Sequence, residues 1–216
     1  MSTYSGRGGL QTSSGSTLKP LNRKVRPRSA KPFRQQGNPE IQKMIDATLV
    51  IEKDLHSRCK TFGSDNVNTI ECLKYFINTC NDYAMTILLY NENEVAARML
   101  LNCDSILTSN VFGNYPFFKH VTSVNLAHIF NRNGNVRLSL KYLSRALEDG
   151  QQCQEPVSLV ETYLNIANAH AHIGDLQLAL NNVQMAITNN EVEISSIIER
   201  LNSNEEMTIS EKHHLN

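Results

Sequence analysis

The chain has 216 residues, few aromatics, no Trp and an apolar share dominated by Leu, Ile, Val and Ala, a composition that suits packed helix pairs better than a β-sandwich. Its zero formal charge conceals two unlike parts. Eight Lys or Arg and no acid precede Glu40, so everything from Glu40 onward carries a net excess of eight acids, the pattern of a basic arm on an acidic body. No apolar run approaches the roughly eighteen residues of a membrane span, and five scattered cysteines without a Cys-x-x-Cys or zinc-finger spacing read as reduced thiols of an intracellular protein.

Residues 1–38 contain Pro20, Pro27 and Pro32 and five of the ten glycines. They show no apolar periodicity and are expected to be a disordered arm, since they cannot bury enough surface to offset ordering entropy. The arm has no apolar stretch for a secretory signal, and Ser2 stands where myristoylation needs glycine. Its basic residues Lys19, Arg23, Lys24, Arg26, Arg28, Lys31 and Arg34 could neutralise phosphates or lie on another acidic surface, RNA and microtubules included. A solubilising tail, or one folded back on its own acidic body, is the plainer alternative.

Asn38-Pro39-Glu40 forms a helix start, with Asn as N-cap, Pro at the first helical position and an acid facing the helix dipole. Ile41, Met44, Ile45, Leu49, Ile51, Leu55 and Cys59 continue as a helical stripe, giving a helix over 39–62 that Gly63 closes. Ser64 or Asp65 is the expected cap of the next helix, whose apolar side runs from Val67 through Ile70, Leu73, Ile77, Cys80, Ala84 and Ile87 to Leu88. A shorter helix with Val95, Met99, Leu100, Cys103 and Leu107 follows. Phe112, Tyr115, Phe117 and Phe118 then cluster around a turn, either as a seal between neighbouring hairpins or as an exposed docking patch.

The passage that follows occurs twice. A shift of forty residues superposes Thr122 on Thr162, Asn125 on Asn165, Ala127 on Ala167, Gly134 on Gly174, Leu140 on Leu180 and Ala146 on Ala186. Self-similarity at such a period predicts a solenoid. In each copy a helical pattern runs into a glycine and a second one leaves it. The clear repeats span 120–152 and 160–190, and 64–107 reads as a degenerate earlier copy with Asn91 in place of the glycine. A capping helix over 191–203 and a flexible tail over 204–216 complete the expected layout, with 39–203 as one helical repeat domain.

In the later copy Tyr163, Ile166-Ala167, His170, Gly174, Ala179, Val183 and Ala186 resemble the tetratricopeptide repeat pattern; in the earlier, Ser123, Leu126-Ala127, Phe130, Gly134, Ser139, Leu143 and Ala146 do so. The proline that usually ends a unit is replaced by Gln151 and Glu191, and the period is longer than usual. The resemblance implies an all-α, right-handed α-solenoid of stacked antiparallel hairpins. It further implies a concave groove for an extended or helical peptide, lined by Val121, Asn125, His128 and Arg132 from one repeat and Glu161, Asn165, Asn168 and His172 from the next. The lysines and arginine with which some members clamp a chaperone tail are absent, their places being held by Val124, Glu161 and Asn165. A solvated helix face or a bond to the neighbouring helix is the plainer role for each groove residue.

No phosphate loop, nucleophile elbow or chelating histidine pair is present in the sequence; His170 and His172, two apart, point to different sides of a helix. The expectation is a protein without catalytic activity, cofactor or metal, and without a membrane span: an interaction adaptor, cytoplasmic or cytoskeletal. The alternative is a structural subunit of a permanent assembly, such as a ciliary axoneme or a mitochondrial ribonucleoprotein, with the arm threading along microtubule or RNA.

Overall fold

A computed structural model describes residues 38–109 and 111–213, with side chains as far as Asn202; the basic arm through Gly37 and the last three residues lie outside the described part. The described residues form seven helices and no strand: α1 (Pro39–Phe62), α2 (Val67–Leu89), α3 (Asn93–Thr108), α4 (Pro116–Arg132), α5 (Val136–Gln151), α6 (Val160–His172) and α7 (Leu176–His213). The architecture is an all-α solenoid. Helices α2/α3, α4/α5 and α6/α7 pair as hairpins, while α2 touches α4 and α4 touches α6, so the first helices of successive hairpins stand side by side.

The local starts and stops follow from side-chain chemistry. Asn38 Oδ1 accepts the Glu40 N–H at 3.0 Å, and Gly63 ends α1 at φ 88°. Helix α2 is capped by Asn66, whose side chain accepts the Asn68 N–H. Neither Ser64 nor Asp65 serves, because the turn carries the chain further before the helix opens, and Val67 at the first position is exposed. In each hairpin one residue between the helices has a positive φ: Asn91 at 63°, Gly134 at 74° and Gly174 at 81°. A β-carbon is disfavoured in that conformation, and asparagine tolerates it better than most residues. Asn91 therefore does the work of the turn glycines, and residues 64–107 carry a true hairpin.

One core cluster runs from α1 to α4 around the fully buried Leu73, Phe76, Ile77, Ile87, Leu100 and Ile129; a second gathers Ala127, Leu143 and Ile166, with Leu140 and Leu147 at its edge. Phe112, Tyr115 and Phe118 pack against the first cluster and seal the joint between hairpins, while Phe117 is half exposed and contacts Phe118 edge-on. Helix α4 lies against α5 closely enough that the buried His120 donates its Nδ1 proton to the Ala146 carbonyl at 2.8 Å. Gly150 permits this approach: a β-carbon there would meet His120 Nδ1 at 2.9 Å and a Leu159 methyl at 2.7 Å.

The main departure from expectation is at the C-terminal end. Residues 191–203 are no separate capping helix, and residues 204–213 are no coil: α7 runs unbroken for 38 residues from Leu176 to His213. No glycine or proline, the residues least favourable to a helix interior, follows Gly174.

Asn91 gives a direct test. Asn91→Ala should destabilise the chain by about 1–2 kcal/mol, the strain of a left-handed alanine, whereas Asn91→Gly should retain most of the stability; urea unfolding of the two variants beside the wild type measures both.

Candidate protein-binding face

The first helices of the hairpins carry a stripe of side chains at spacings of four, three and four. On α4 it is Val121, Asn125, His128 and Arg132, and on α6 Glu161, Asn165, Asn168 and His172. The Asn91-to-Gly134 offset of forty-three residues extends the same stripe onto α2 as Asn78, Asp82, Met85 and Leu89, a continuation that sequence reading leaves out although the offset was available. Asn78, Asp82 and Leu89 are exposed and Met85 is partly buried.

The α4 part of the stripe is largely committed to the fold. Asn125 Nδ2 donates to Asn81 Oδ1 at 2.8 Å, and the Asn81 amide donates to the Ile77 carbonyl at 2.9 Å and to Thr122 Oγ1 at 3.0 Å. Asn81 and Thr122 are buried, so this chain of bonds supplies partners to groups that water cannot reach. Arg132 donates to the Leu88 carbonyl at 3.2 Å and to Asn91 Oδ1, holding the C-terminal end of α2, where a cation is favoured. For Asn125 and Arg132 the bond to the neighbouring helix thus accounts for the residue.

The α6 part is different. Glu161, Asn168 and His172 are exposed and Asn165 is half-buried, and none of them carries a bond within the described structure; His128 on α4 shares that condition. Asn165 lacks the partner of Asn125 for a simple reason. The residue of α4 that corresponds to Asn81 is Val124, which is buried and apolar. The recurring pair therefore consists of one structural and one uncommitted asparagine.

A second polar cluster joins the other row of helices. Arg145 on α5 reaches Asp104 on α3 through both terminal nitrogens and approaches Asp149 at 3.5 Å, with its guanidinium 6.0 Å from the centre of the Tyr142 ring. Tyr142 in turn stacks on Phe130 at 5.4 Å. The hydrogen bond to Asp104 holds the Arg145 guanidinium above its ordinary range despite burial. Burial pushes the Asp149 carboxyl above the usual carboxylate range, against the pull of Arg145 and Lys119. Cys72, Cys80 and Cys103 are buried thiols and Cys59 and Cys153 half-buried ones; Cys103 Sγ lies 3.9 Å from Thr122 Oγ1 and Cys72 Sγ 3.7 Å from Asp54 Oδ2, and the Cys80 thiol is raised by its contact with Cys103 and by burial.

Residues 120–191 match the family model described as Tetratricopeptide repeat. This segment consists of tetratricopeptide repeats. The tetratricopeptide repeat domain of Arabidopsis FLU superposes with a TM-score of 0.50 at 22% identity, over 56% of this chain and 98% of that one. MamA aligns at 13% identity over 72% of this chain and 87% of its own, with a TM-score of 0.46. No curated protein sequence matches the chain. Beyond the matched segment, the α2/α3 hairpin has the same turn conformation at Asn91. None of the described helices is long and apolar enough to cross a membrane.

Two expectations follow. Asn125→Ala should cost about 1–3 kcal/mol by orphaning buried Asn81, while the equivalent Asn165→Ala should stay within about 0.5 kcal/mol, as read by thermal and urea unfolding. At Asp149 the raised folded-state pKa means that folding takes up a proton. The stability associated with it is fully present below the unfolded carboxylate value near 4 and is lost as pH rises through the folded value. Asp149→Asn should remove that slope and leave stability at pH 7 equal or higher, measured by urea titration at several pH values.

Proposed function

We propose that the protein is a non-catalytic interaction adaptor that holds a peptide or helix of another protein against the α4/α6 part of its inner stripe. The observation carrying this reading is the set His128, Glu161, Asn165, Asn168 and His172: adjacent first helices of tetratricopeptide repeats present polar side chains that serve no bond of the fold. A polar stripe with both donors and acceptors suits a peptide backbone, whose N–H and C=O groups need partners once water is displaced. Asn125 and Arg132 frame this face and keep α2 and α4 in register. They are positioning residues.

The arm, with Lys19, Arg23, Lys24, Arg26, Arg28, Lys31 and Arg34 and no acid, adds an electrostatic anchor to an acidic surface in this reading. Such an anchor weakens with salt because exposed charges are screened. If the acidic surface is a microtubule or RNA within a permanent assembly, the chain is a structural subunit there, and salt extraction from the particulate fraction separates that reading from a freely exchanging adaptor.

A photo-crosslinking residue at Asn168 should capture a discrete protein partner from native extract. His128→Ala, Asn168→Ala and His172→Ala together should weaken capture at a crosslinker placed at Asn165 at least tenfold without altering thermal stability. Undiminished capture by the triple variant would refute this placement of the binding face.

A further inference from the structure

The last helix carries a surface that belongs to neither the inner stripe nor the fold. Leu176, Leu180, Val183 and Ile187 follow one another on α7 at spacings of four, three and four, and all are exposed. After Asn190, also exposed, the same alternation continues as Ile194, Ile197 and Leu201, again exposed. A four-three alternation sustained over 26 residues is the seam of a coiled coil, and it runs for about 39 Å at the helical rise.

The preceding hairpin shows what covers such a seam. On α5 the counterparts of Leu180, Val183 and Ile187 are Leu140, Leu143 and Leu147, and antiparallel α6 lies on them with Ile166 in the shared cluster. Leu143 is accordingly 1% exposed, whereas Val183 is 36%, Leu180 64% and Ile187 47% exposed. Residues 176–188 of α7 match the thirteen residues of α6; past them α7 extends beyond its helical neighbour, and Glu193, Ser196, Ile197 and Arg200 line a groove with the loop around Pro156 and Val157. Each chain therefore has both a seat for one more antiparallel helix and a projecting helix of the right length to fill one.

We propose that two copies pair antiparallel through α7, the projecting half of each lying on residues 176–187 of the other in the place of a further repeat helix. The register is set by the sequence's own midpoint between Thr188 and Asn189. About that point Leu176 meets the partner's Leu201, Leu180 the partner's Ile197, Val183 the partner's Ile194, and Ile187 the partner's Asn190, so every layer falls on the seam. The two Asn190 amides then lie on either side of the axis, about 4.5 Å apart along it, within reach of each other. Along the paired helices Glu191 falls level with the partner's Ala186 and Glu193 with the partner's Gln184, so the two α7 helices bring no like charges level with each other. A twofold interface needs this self-complementarity, and it is a surface distinct from the α4/α6 face, whose reading can fail independently.

Light scattering on the full chain at about 50 µM, well above a micromolar dissociation constant, should give twice the 24.3 kDa chain mass; the single-chain mass would overturn the proposal. Ile194→Glu with Leu201→Glu, both on the projecting half and outside the core, should halve the mass while leaving helix content and melting of the body unchanged, and a persisting dimer would overturn it. For direction, Val183→Cys chains mixed with Ile194→Cys chains and oxidised should yield the mixed 183–194 linkage by peptide mass spectrometry. Linkage of each variant only to itself would mean parallel pairing and would exclude the proposed register.

Discussion

A two-helix hairpin has more apolar surface than its two helices can hide from water, and the structure follows from that imbalance. Each hairpin must lend its uncovered side to the next, and the hydrophobic term attached to the few large side chains involved outweighs any propensity of the separate helices. Leu143, covered by α6, and Val183, covered by no helix among the described residues, are the same position in two copies. One has a following helix against it and the other does not. The stacking is directional for the same reason: a hairpin in the middle is satisfied on both sides, while the terminal one keeps an apolar seam.

Apolar stacking alone would let helices slide by a turn, and buried polar groups restrict it. Asn81 can satisfy its amide only with Ile77, Thr122 and Asn125 in place, which ties α2 to α4 at one register. Arg132 repeats the constraint at the far end of the same helices, where it bonds the Leu88 carbonyl and the Asn91 side chain. On the other row, Arg145 links α3 to α5 through Asp104. These bonds lie between the first two hairpins. The joint between α4 and α6 has no counterpart, because Val124 stands where α2 has Asn81, and that difference leaves Asn165 without a bond on the inner stripe.

The same features show what could be read before the fold was known. The repeats, the turn residues and the core faces of α2 to α6 were legible because each depends on local spacing: a glycine or asparagine that accepts positive φ, and apolar residues at helical intervals; the same spacing on α7 marks a face that the structure leaves exposed. The substitution of Asn91 for glycine was legible for the same reason. The commitments of the groove residues were not. Asn125 and Asn165 sit in matching strings, and only the identity of the residue opposite, forty-odd positions away, separates them. Nor was the need for glycine at 150 legible; it follows from His120 and Leu159 occupying the space a β-carbon would need.

By itself the sequence determined that the chain folds as stacked hairpins, where each turns, and that a basic arm precedes an acidic helical body, since propensity, periodicity and charge are properties of neighbouring residues. The tertiary structure alone decided which polar residues of the inner stripe are consumed by the fold and which remain open. It also decided that residues 176–213 are one helix whose apolar seam is exposed among the described residues. Burial and hydrogen-bond satisfaction depend on what lies opposite a side chain, and for this chain the opposing residue belongs to another repeat or, at the α7 seam, to none of the described residues.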